Sequence, residues 1–145
     1  MDDLIEFLRA RLDDDEQMAR AATWCEEAGV WHAKPTPYGA RGWPGPRWFI
    51  EDALEDGVIS HVDPQASDDE DVARHIARHD PDRVLREVAA KRRILDMHGD
   101  DQHYCVYDEA GTNGWSGAPC LTVRLLALSY PGHRDYREEW RPWMT

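Results

Sequence analysis

The chain has 145 residues, of which 41% are hydrophobic and 32% charged, and its formal net charge is −12; this length is enough to bury one substantial core. The acidic excess disfavours direct nucleic-acid binding. The chain has three cysteines, and this odd number disfavours a secreted disulfide framework. No window approaches the ~20 apolar residues of a membrane span. The sequence therefore predicts a single domain over residues 1–145, cytoplasmic and with reduced thiols, whose acidic start lacks the pattern of a secretory signal.

The N-terminal segment is predicted to form one long helix. Asp2 or Asp3 can cap its start, apolar residues recur at helical spacing, and the helix is expected to run to about Glu27 and end at Gly29. Asp15 interrupts this pattern, because at 100° per residue it falls inside the apolar stripe. Its carboxylate is therefore expected to face the interior, where a polar group needs a partner.

A different pattern follows between Val30 and Asp63. The prolines and glycines of KPTPYGARGWPGP exclude a helix there, and the short runs VWHA, RWFIED and VISHV are typical of strands. The last two runs flank an Asp-Gly pair, which indicates a hairpin. The segment is predicted to form a small antiparallel sheet of two or three strands with a long aromatic loop.

Further helices are expected downstream. One begins near Ser67 or Asp68 with acidic residues in its first turn, as the helix dipole prefers, and the next is capped by Asp80 with Pro81 at its first position. After a glycine-rich loop or small knuckle, CLTVRLLALSY is apolar enough for a buried fourth helix, and HRDYREEW is expected to form a short last one. The predicted fold class is α+β: a long N-terminal helix, the small sheet, and three or four further helices.

Three blocks of the chain carry a resemblance to a known family: FLRARLDDDEQMARAATW, HIARHDPDRVLREVAAKRRIL and CLTVRLLALSYPGHRDYREEW. In this order they resemble a family of small, acidic, uncharacterised actinobacterial proteins classed as a domain of unknown function. The resemblance implies an actinobacterial host and a single-domain unit, and it implies no reaction. Many members carry Cys-x-x-Cys after the third helix and Pro-Cys before the next. Here Cys105 and Asp108 stand at the first pair, and Pro119 and Cys120 at the second.

Two histidines near the end of the second helix form the first candidate site. His75, Ile76 and His79 fall on one side of the helix, so both imidazoles are expected on the buried side. An i, i+4 pair can chelate a metal, and with Asp15 as a third group the trio is predicted to bind a divalent cation or a substrate. The main alternative is structural: Asp15 accepts a hydrogen bond from a core histidine, and His79 lies at the helix C-terminus, where the dipole favours a proton.

The knuckle is the second candidate site. Its predicted metal ligands are His98, Cys105, Asp108 and Cys120, with His103 as a further donor. Thiolate and imidazole suit zinc, and Cys105 and Asp108 have the chelating x₂ spacing. A loop without metal is the main alternative, because aspartate is uncommon in closed structural zinc sites. A catalytic Cys–His pair is a weaker one, since nothing nearby resembles an oxyanion hole.

Aromatic and acidic residues give two weaker signals. The middle segment is rich in aromatic side chains: Trp31, Tyr38, Trp43, Trp48 and Phe49. They could line a ligand groove or stack bases, although core filling and loop rigidity explain them more simply. The runs DDDE, EDALED, SDDED and GDD could imitate a phosphate backbone, and a solvated, solubilising surface explains them equally well.

The sequence contains no Walker loop, dinucleotide fingerprint, serine nucleophile elbow or tandem Cys-x-x-Cys. We therefore expect a non-enzymatic protein-interaction or regulatory module with a protein partner, basic in character, and with zinc in the knuckle as the candidate cofactor. Direct contact with nucleic acid or a membrane is not expected, and the oligomeric state stays open. The second hypothesis is a small metal-dependent hydrolase using Asp15, His75 and His79. The third is an acidic inhibitor or DNA mimic acting on a nucleic-acid enzyme.

Overall fold

The computed structural model describes residues 2–36, 47–99 and 119–142. Within these ranges the chain forms four α-helices and a three-stranded antiparallel sheet, which confirms the predicted α+β class. The chain divides into two compact units, the first made of Met1–Asp15 and Glu87–Thr145 and the second of Glu16–Arg86. The single-domain organisation stays a prediction. No helix in the described ranges is both long enough and apolar enough to span a bilayer.

The core of the first unit is made by three helices: α1 (Asp2–Ala21), α3 (Pro81–His98) and α4 (Leu121–Ala127). Its most buried side chains lie at helical spacing, as the periodicity predicts: Leu4, Leu8 and Leu12 from α1, Val88 and Leu95 from α3, and Val123 and Ala127 from α4. Burying a leucine contributes about 1.5–3 kcal/mol. The apolar stripes recognised in the sequence therefore account for the core of this unit.

The end of α1 differs from the prediction. The helix ends at Ala21 and not near Glu27, and Glu27–Gly29 forms a separate short 3-10 turn. The backbone N–H and the hydroxyl of Thr23 both bond to the carbonyl of Arg20 at 3.4 Å. Threonine side chains that bond to the local backbone compete with the helical pattern, so the helix stops before the glycine that was expected to end it.

The second unit is a three-stranded sheet covered by one helix. The strands are β1 (Trp31–Pro35), β2 (Trp48–Asp52) and β3 (Gly57–Val62), in the order β1-β2-β3, and the helix is α2 (Asp69–Arg78). Ile50, Val62 and Ala73 are buried between sheet and helix, with Trp31 and Trp48 packed against them. These two tryptophans fill a core, which agrees with core filling as the simpler interpretation of the aromatic residues. Tyr38 and Trp43 lie outside the described residues.

The hairpin between β2 and β3 forms as predicted, but its turn is not the one expected. Asp52 is buried, and its Oδ1 accepts hydrogen bonds from the backbone N–H groups of Leu54 at 2.9 Å and Asp56 at 3.0 Å. The left-handed backbone conformation falls on Glu55, with φ of 66°, and not on Gly57. Asp side chains bond readily to the backbone two residues ahead, so Asp52 replaces the glycine turn with a side-chain cap.

The predicted start of α2 near Asp68 and the predicted cap of α3 by Asp80 are confirmed. The Asp68 carboxylate accepts two backbone N–H groups in the first turn of α2, at 3.0 and 3.4 Å. Asp80 caps α3 by accepting from the N–H of Arg83 at 2.8 Å, and its other oxygen accepts the N–H of Trp31, at the start of β1, at 3.2 Å. One buried carboxylate thus satisfies donors from a helix and from a strand.

The C-terminal segment departs from the expected short helix. After α4 the chain forms turns, and only Glu138–Trp140 is helical, as a 3-10 segment. The side chain of His133 accepts the N–H of Asp135 at 3.1 Å through Nδ1, and its carbonyl accepts the N–H of Tyr136 at 2.9 Å. A side chain that takes a backbone donor in this way stabilises a turn in place of a helix.

Candidate functional site

His98 and Cys120 lie together in the first unit. His98 is the last residue of α3, and Cys120 directly precedes α4. The Cys120 Sγ lies 3.7 Å from the His98 Nδ1; the cysteine is buried and the histidine half-buried. The structure therefore brings together two of the four residues that the sequence predicts as zinc ligands.

The distance between these two atoms fits joint ligation of one ion. In a tetrahedral zinc site the Zn–S bond is about 2.3 Å and the Zn–N bond about 2.0–2.1 Å, which places the sulfur and nitrogen about 3.6 Å apart. The same distance fits a thiol–imidazole hydrogen bond. Cys120 is the N-cap residue of α4, yet its side chain makes no capping hydrogen bond to the helix. A thiol and an imidazole are also the donor types that zinc prefers.

Gly99 fixes the direction in which the chain leaves α3, directly after His98. Its N–H bonds to the carbonyl of Leu95 at 2.7 Å. A Cβ placed on Gly99 would lie 2.6 Å from that carbonyl oxygen and 3.2 Å from the side chain of Ile5. Contacts this short are too close for a side chain, so only glycine fits this position without a shift of the backbone.

The rest of the predicted zinc site lies outside the described residues. Cys105, Asp108 and His103 belong to the segment between residues 99 and 119, of which the structure describes nothing. Across residues 2–36, 47–99 and 119–142, no group of three or more His, Cys, Asp or Glu side chains is placed to hold a metal ion. Zinc binding stays a prediction.

The histidine pair of α2 lies on the exposed side of that helix. Both His75, in the last turn, and His79, the C-cap residue, are exposed, so the prediction that they share the buried side is wrong. The buried residues of α2 are Ala73 and Ala77. Each histidine follows one of these alanines by two residues, or about 200° around the helix. Ile76 also packs against the core between sheet and helix, so the face that contacts the sheet runs from Ile76 toward the two alanines and not toward the histidines.

The two imidazole rings are nevertheless close to each other. Their centroids are 4.4 Å apart, with an angle of 39° between the ring planes. The Nδ1 of His79 lies 2.9 Å from the carbonyl oxygen of His75. Since a carbonyl only accepts, Nδ1 of His79 carries the proton in this bond. The predicted position of His79 at the helix C-terminus is confirmed.

Asp15, the third member of the predicted trio, has a tyrosine partner. It is half-buried in the first unit, and the Tyr130 hydroxyl donates to its Oδ2 at 2.6 Å. Burial, followed by this hydrogen bond and the negative charge of Asp15, raises the pKa of the Tyr130 phenol well above its ordinary value. Asp15 therefore has the polar partner expected of an inward carboxylate, although that partner is not a histidine. Convergence of Asp15 with His75 and His79, and the hydrolase that depends on it, stay predictions.

A group of aromatic rings around Phe7 was not anticipated from the sequence. Phe7 contacts the rings of Tyr130, His133, Tyr136 and Trp140, with centroid distances between 5.0 and 6.2 Å. We call these five residues the Phe7 cluster. His133, Tyr136 and Trp140 stand at i, i+3 and i+7 in the segment predicted as the last helix, so helical spacing would have grouped these three, but no local pattern joins them to Phe7. Their contacts pack the C-terminal segment against α1.

Charged groups border the Phe7 cluster. The Arg11 guanidinium lies 5.4 Å from the Phe7 ring centroid and against the His133 ring, with its Nη1 3.0 Å from Nδ1, and it pairs with Asp14 at 2.8 Å. The Tyr136 hydroxyl is buried and has no hydrogen-bond partner among the described residues. The cluster combines core packing with a rim of polar side chains.

Comparison with known proteins places the chain in a family. A family model described as a family of unknown function, DUF6221, matches residues 1–142. No curated protein and no solved structure matches the chain. The matched region contains every residue of both candidate sites and covers nearly the whole length, as the resemblance of the three sequence blocks implied. The chain belongs to the family of unknown function DUF6221.

Proposed function

We propose that the protein is a non-enzymatic interaction or regulatory module in which a structural zinc ion joins the end of α3 to the start of α4. The approach of Cys120 Sγ to His98 Nδ1, at 3.7 Å, carries the proposal. Cys105 and Asp108 supply the remaining donors, because their spacing suits chelation and they lie in the segment between the two described ligands. With four protein donors the ion has no open position, which is the arrangement of a structural and not a catalytic zinc.

The proposed zinc would bind a segment whose sequence contains few residues that build a core. The segment from His98 to Cys120 contains GDDQHYCVYDEAGTNGWSGAP, which is rich in glycine and polar residues and poor in residues that build a core. A metal clip that closes such a loop contributes its binding free energy to folding. The His98 and Cys120 side chains are in contact across the ends of this loop, so the ion would be bound where closure is needed.

The interaction role is supported by apolar side chains that the fold leaves exposed. In the second unit Met18 is 70% and Trp24 69% exposed. Tryptophan is enriched among residues that dominate binding energy in protein interfaces, and a net charge of −12 favours a basic partner. The same charge underlies the DNA-mimic hypothesis, which stays a prediction.

Metal content tests the zinc part of the proposal. We expect about one zinc per chain in protein purified without chelator, and loss of that zinc in both Cys120→Ser and His98→Asn. Cys25→Ser is the matched control, since Cys25 lies in the second unit, and this variant should keep its zinc. Replacement by Co²⁺ should give a thiolate-to-metal absorption band that is absent from Cys120→Ser. Native protein that lacks zinc and gives no such band would contradict the proposal.

A low-salt pull-down tests the interaction part. Immobilised native protein, incubated with a lysate of the source organism, should retain a specific partner. The double variant Met18→Ala, Trp24→Ala should not retain that partner. Met97→Ala is the control, because Met97 is 61% exposed but belongs to the first unit. Identical sets of retained proteins from native chain and double variant would remove Met18 and Trp24 from the proposal, and an empty set would contradict the interaction role.

A further inference from the structure

The ring separation in the exposed histidine pair of α2 matches that of a two-point metal chelate. An imidazole nitrogen bound to a transition metal lies about 2.0–2.1 Å from the ion and about 1.2 Å from the centre of its own ring. Two rings bound at a right angle to one ion therefore have centroids about 4.5 Å apart, and the rings of His75 and His79 have centroids 4.4 Å apart. The i, i+4 spacing on one helix sets this separation.

The hydrogen bond within the pair prepares one ring for ligation. Because Nδ1 of His79 donates to the carbonyl of His75 at 2.9 Å, its Nε2 is the nitrogen that carries the lone pair in the neutral ring. Ligating histidines commonly donate their other ring nitrogen to a backbone carbonyl in this way, which fixes both tautomer and orientation.

The electrostatic surroundings favour a cation at this end of α2. The C-terminal end of a helix carries a partial negative charge, and Asp71 precedes His75 by one turn on the same side of the helix. Of the nearby cationic side chains, Arg74 is paired with Glu70 at 2.6 Å, and Arg83 donates to the carbonyl of Arg78 at 3.3 Å. The net field of the acidic chain adds to the attraction.

We propose that His75 and His79 form an exchangeable surface site for a borderline divalent transition metal, separate from the structural zinc. Two imidazoles leave the other coordination positions to water, so the ion should exchange readily with solution. Selectivity should follow the ordinary series, with Cu²⁺ and Ni²⁺ bound more tightly than Zn²⁺ or Co²⁺, while the hard ions Mg²⁺ and Ca²⁺ should not bind. The zinc of the first unit would stay in place during this exchange.

Titration with Ni²⁺ alone tests the site, because this ion does not oxidise thiols as Cu²⁺ does. We expect one exchangeable Ni²⁺ per chain by calorimetry, and broadening of the resonances of α2 in an NMR spectrum. His75→Asn and His79→Asn should each weaken binding by about tenfold or more, since each removes one of two ligands. His32→Asn, on the exposed surface of β1, should bind as the native chain does.

The zinc content of the native protein, measured before and after the titration, separates this site from the proposed structural one. Unchanged zinc with bound Ni²⁺ supports two independent sites. Equal Ni²⁺ affinity of the native chain and His79→Asn would overturn the chelate, and so would equal affinity for Mg²⁺. Because both histidines are exposed, neither variant should unfold and obscure the result.

Discussion

The two units use polar side chains in different ways. In the first unit they join segments that are far apart in the sequence: Asp15 bonds to Tyr130, Arg11 contacts the ring of His133, and His98 contacts Cys120. In the second unit most polar contacts are local, such as the cap of α2 by Asp68 and the turn closed by Asp52. Local contacts depend on spacing and can be recognised from the sequence, whereas contacts over a hundred residues cannot.

Removal of the proposed zinc should have the largest effect, and that effect should lie in the first unit. Treating the native protein with a strong chelator should lower the free energy of unfolding by at least about 3 kcal/mol, since a structural zinc contributes its binding free energy to folding. Denaturant titration measures the loss, and amide hydrogen exchange should place it in residues 87–99 and 119–142. An unfolding curve unaffected by the chelator would show that the contact between His98 and Cys120 is not metal-dependent.

Asp80 departs from the local pattern of the second unit, because it joins segments 49 residues apart. Asp80→Ala should lower the free energy of unfolding by about 2–3 kcal/mol, since it removes the cap of α3 and leaves the N–H of Trp31 without its acceptor. Thermal or denaturant unfolding measures this effect. Asp80→Asn, which keeps one acceptor oxygen, should recover part of the loss. A change below about 0.5 kcal/mol for Asp80→Ala would mean that the contact with β1 contributes nothing.

Tyr130 tests a long-range contact of the first unit at high pH. Burial raises its pKa in the folded chain above the ordinary tyrosine value of 10.0, so the unfolded chain loses the phenolic proton first, and stability should fall as the pH rises above about 10. Tyr130→Phe should cost about 1 kcal/mol at pH 7 through loss of the bond to Asp15, and it should remove this part of the alkaline decline. Denaturant unfolding at pH 8 to 11 measures the difference in slope, and parallel curves would contradict it.

The smallest effect is expected at the turn of the second unit. Glu55→Gly should raise the free energy of unfolding by about 0.5–1 kcal/mol, because glycine adopts the left-handed conformation at φ 66° without the cost of a side chain. Leu54→Gly is the matched control and should destabilise, since Leu54 has no such conformation. Denaturant midpoints measure both variants, and a loss of stability in Glu55→Gly would show that the Glu55 side chain contributes more than its backbone strain costs.

The sequence predicted the fold class, the strands, the start of α2 near Asp68 and the cap at Asp80, because each depends on residues close together in the chain. It placed Asp15 toward the interior correctly but could not identify Tyr130 as its partner. It misjudged α2, because Ile76 does pack on the sheet but is adjacent on the helix surface to both the alanines and the histidines, and the core lies on the alanine side. Ala73 and Ala77 are the residues that allow a helix to approach a sheet closely, and hydrophobicity alone gives them little weight.

Within the candidate zinc site, the sequence could identify donors by type and spacing but not their distances. Cys105 and Asp108, for example, have the chelating x₂ spacing, with two residues between them. That His98 and Cys120 approach each other follows from where α3 ends and α4 begins. Those ends depend on the packing of both helices in one core, which no local pattern specifies.

Because of Gly99, the position of the His98 imidazole depends on a residue that has no side chain to bind a metal. Any larger residue there would push the backbone away from the Leu95 carbonyl and tilt the end of α3. The His98 imidazole would then move away from the Cys120 sulfur, although neither of these two residues had been substituted. Among members of the family, variation at this glycine should therefore accompany loss of the Cys120 thiol, so that the two positions change together.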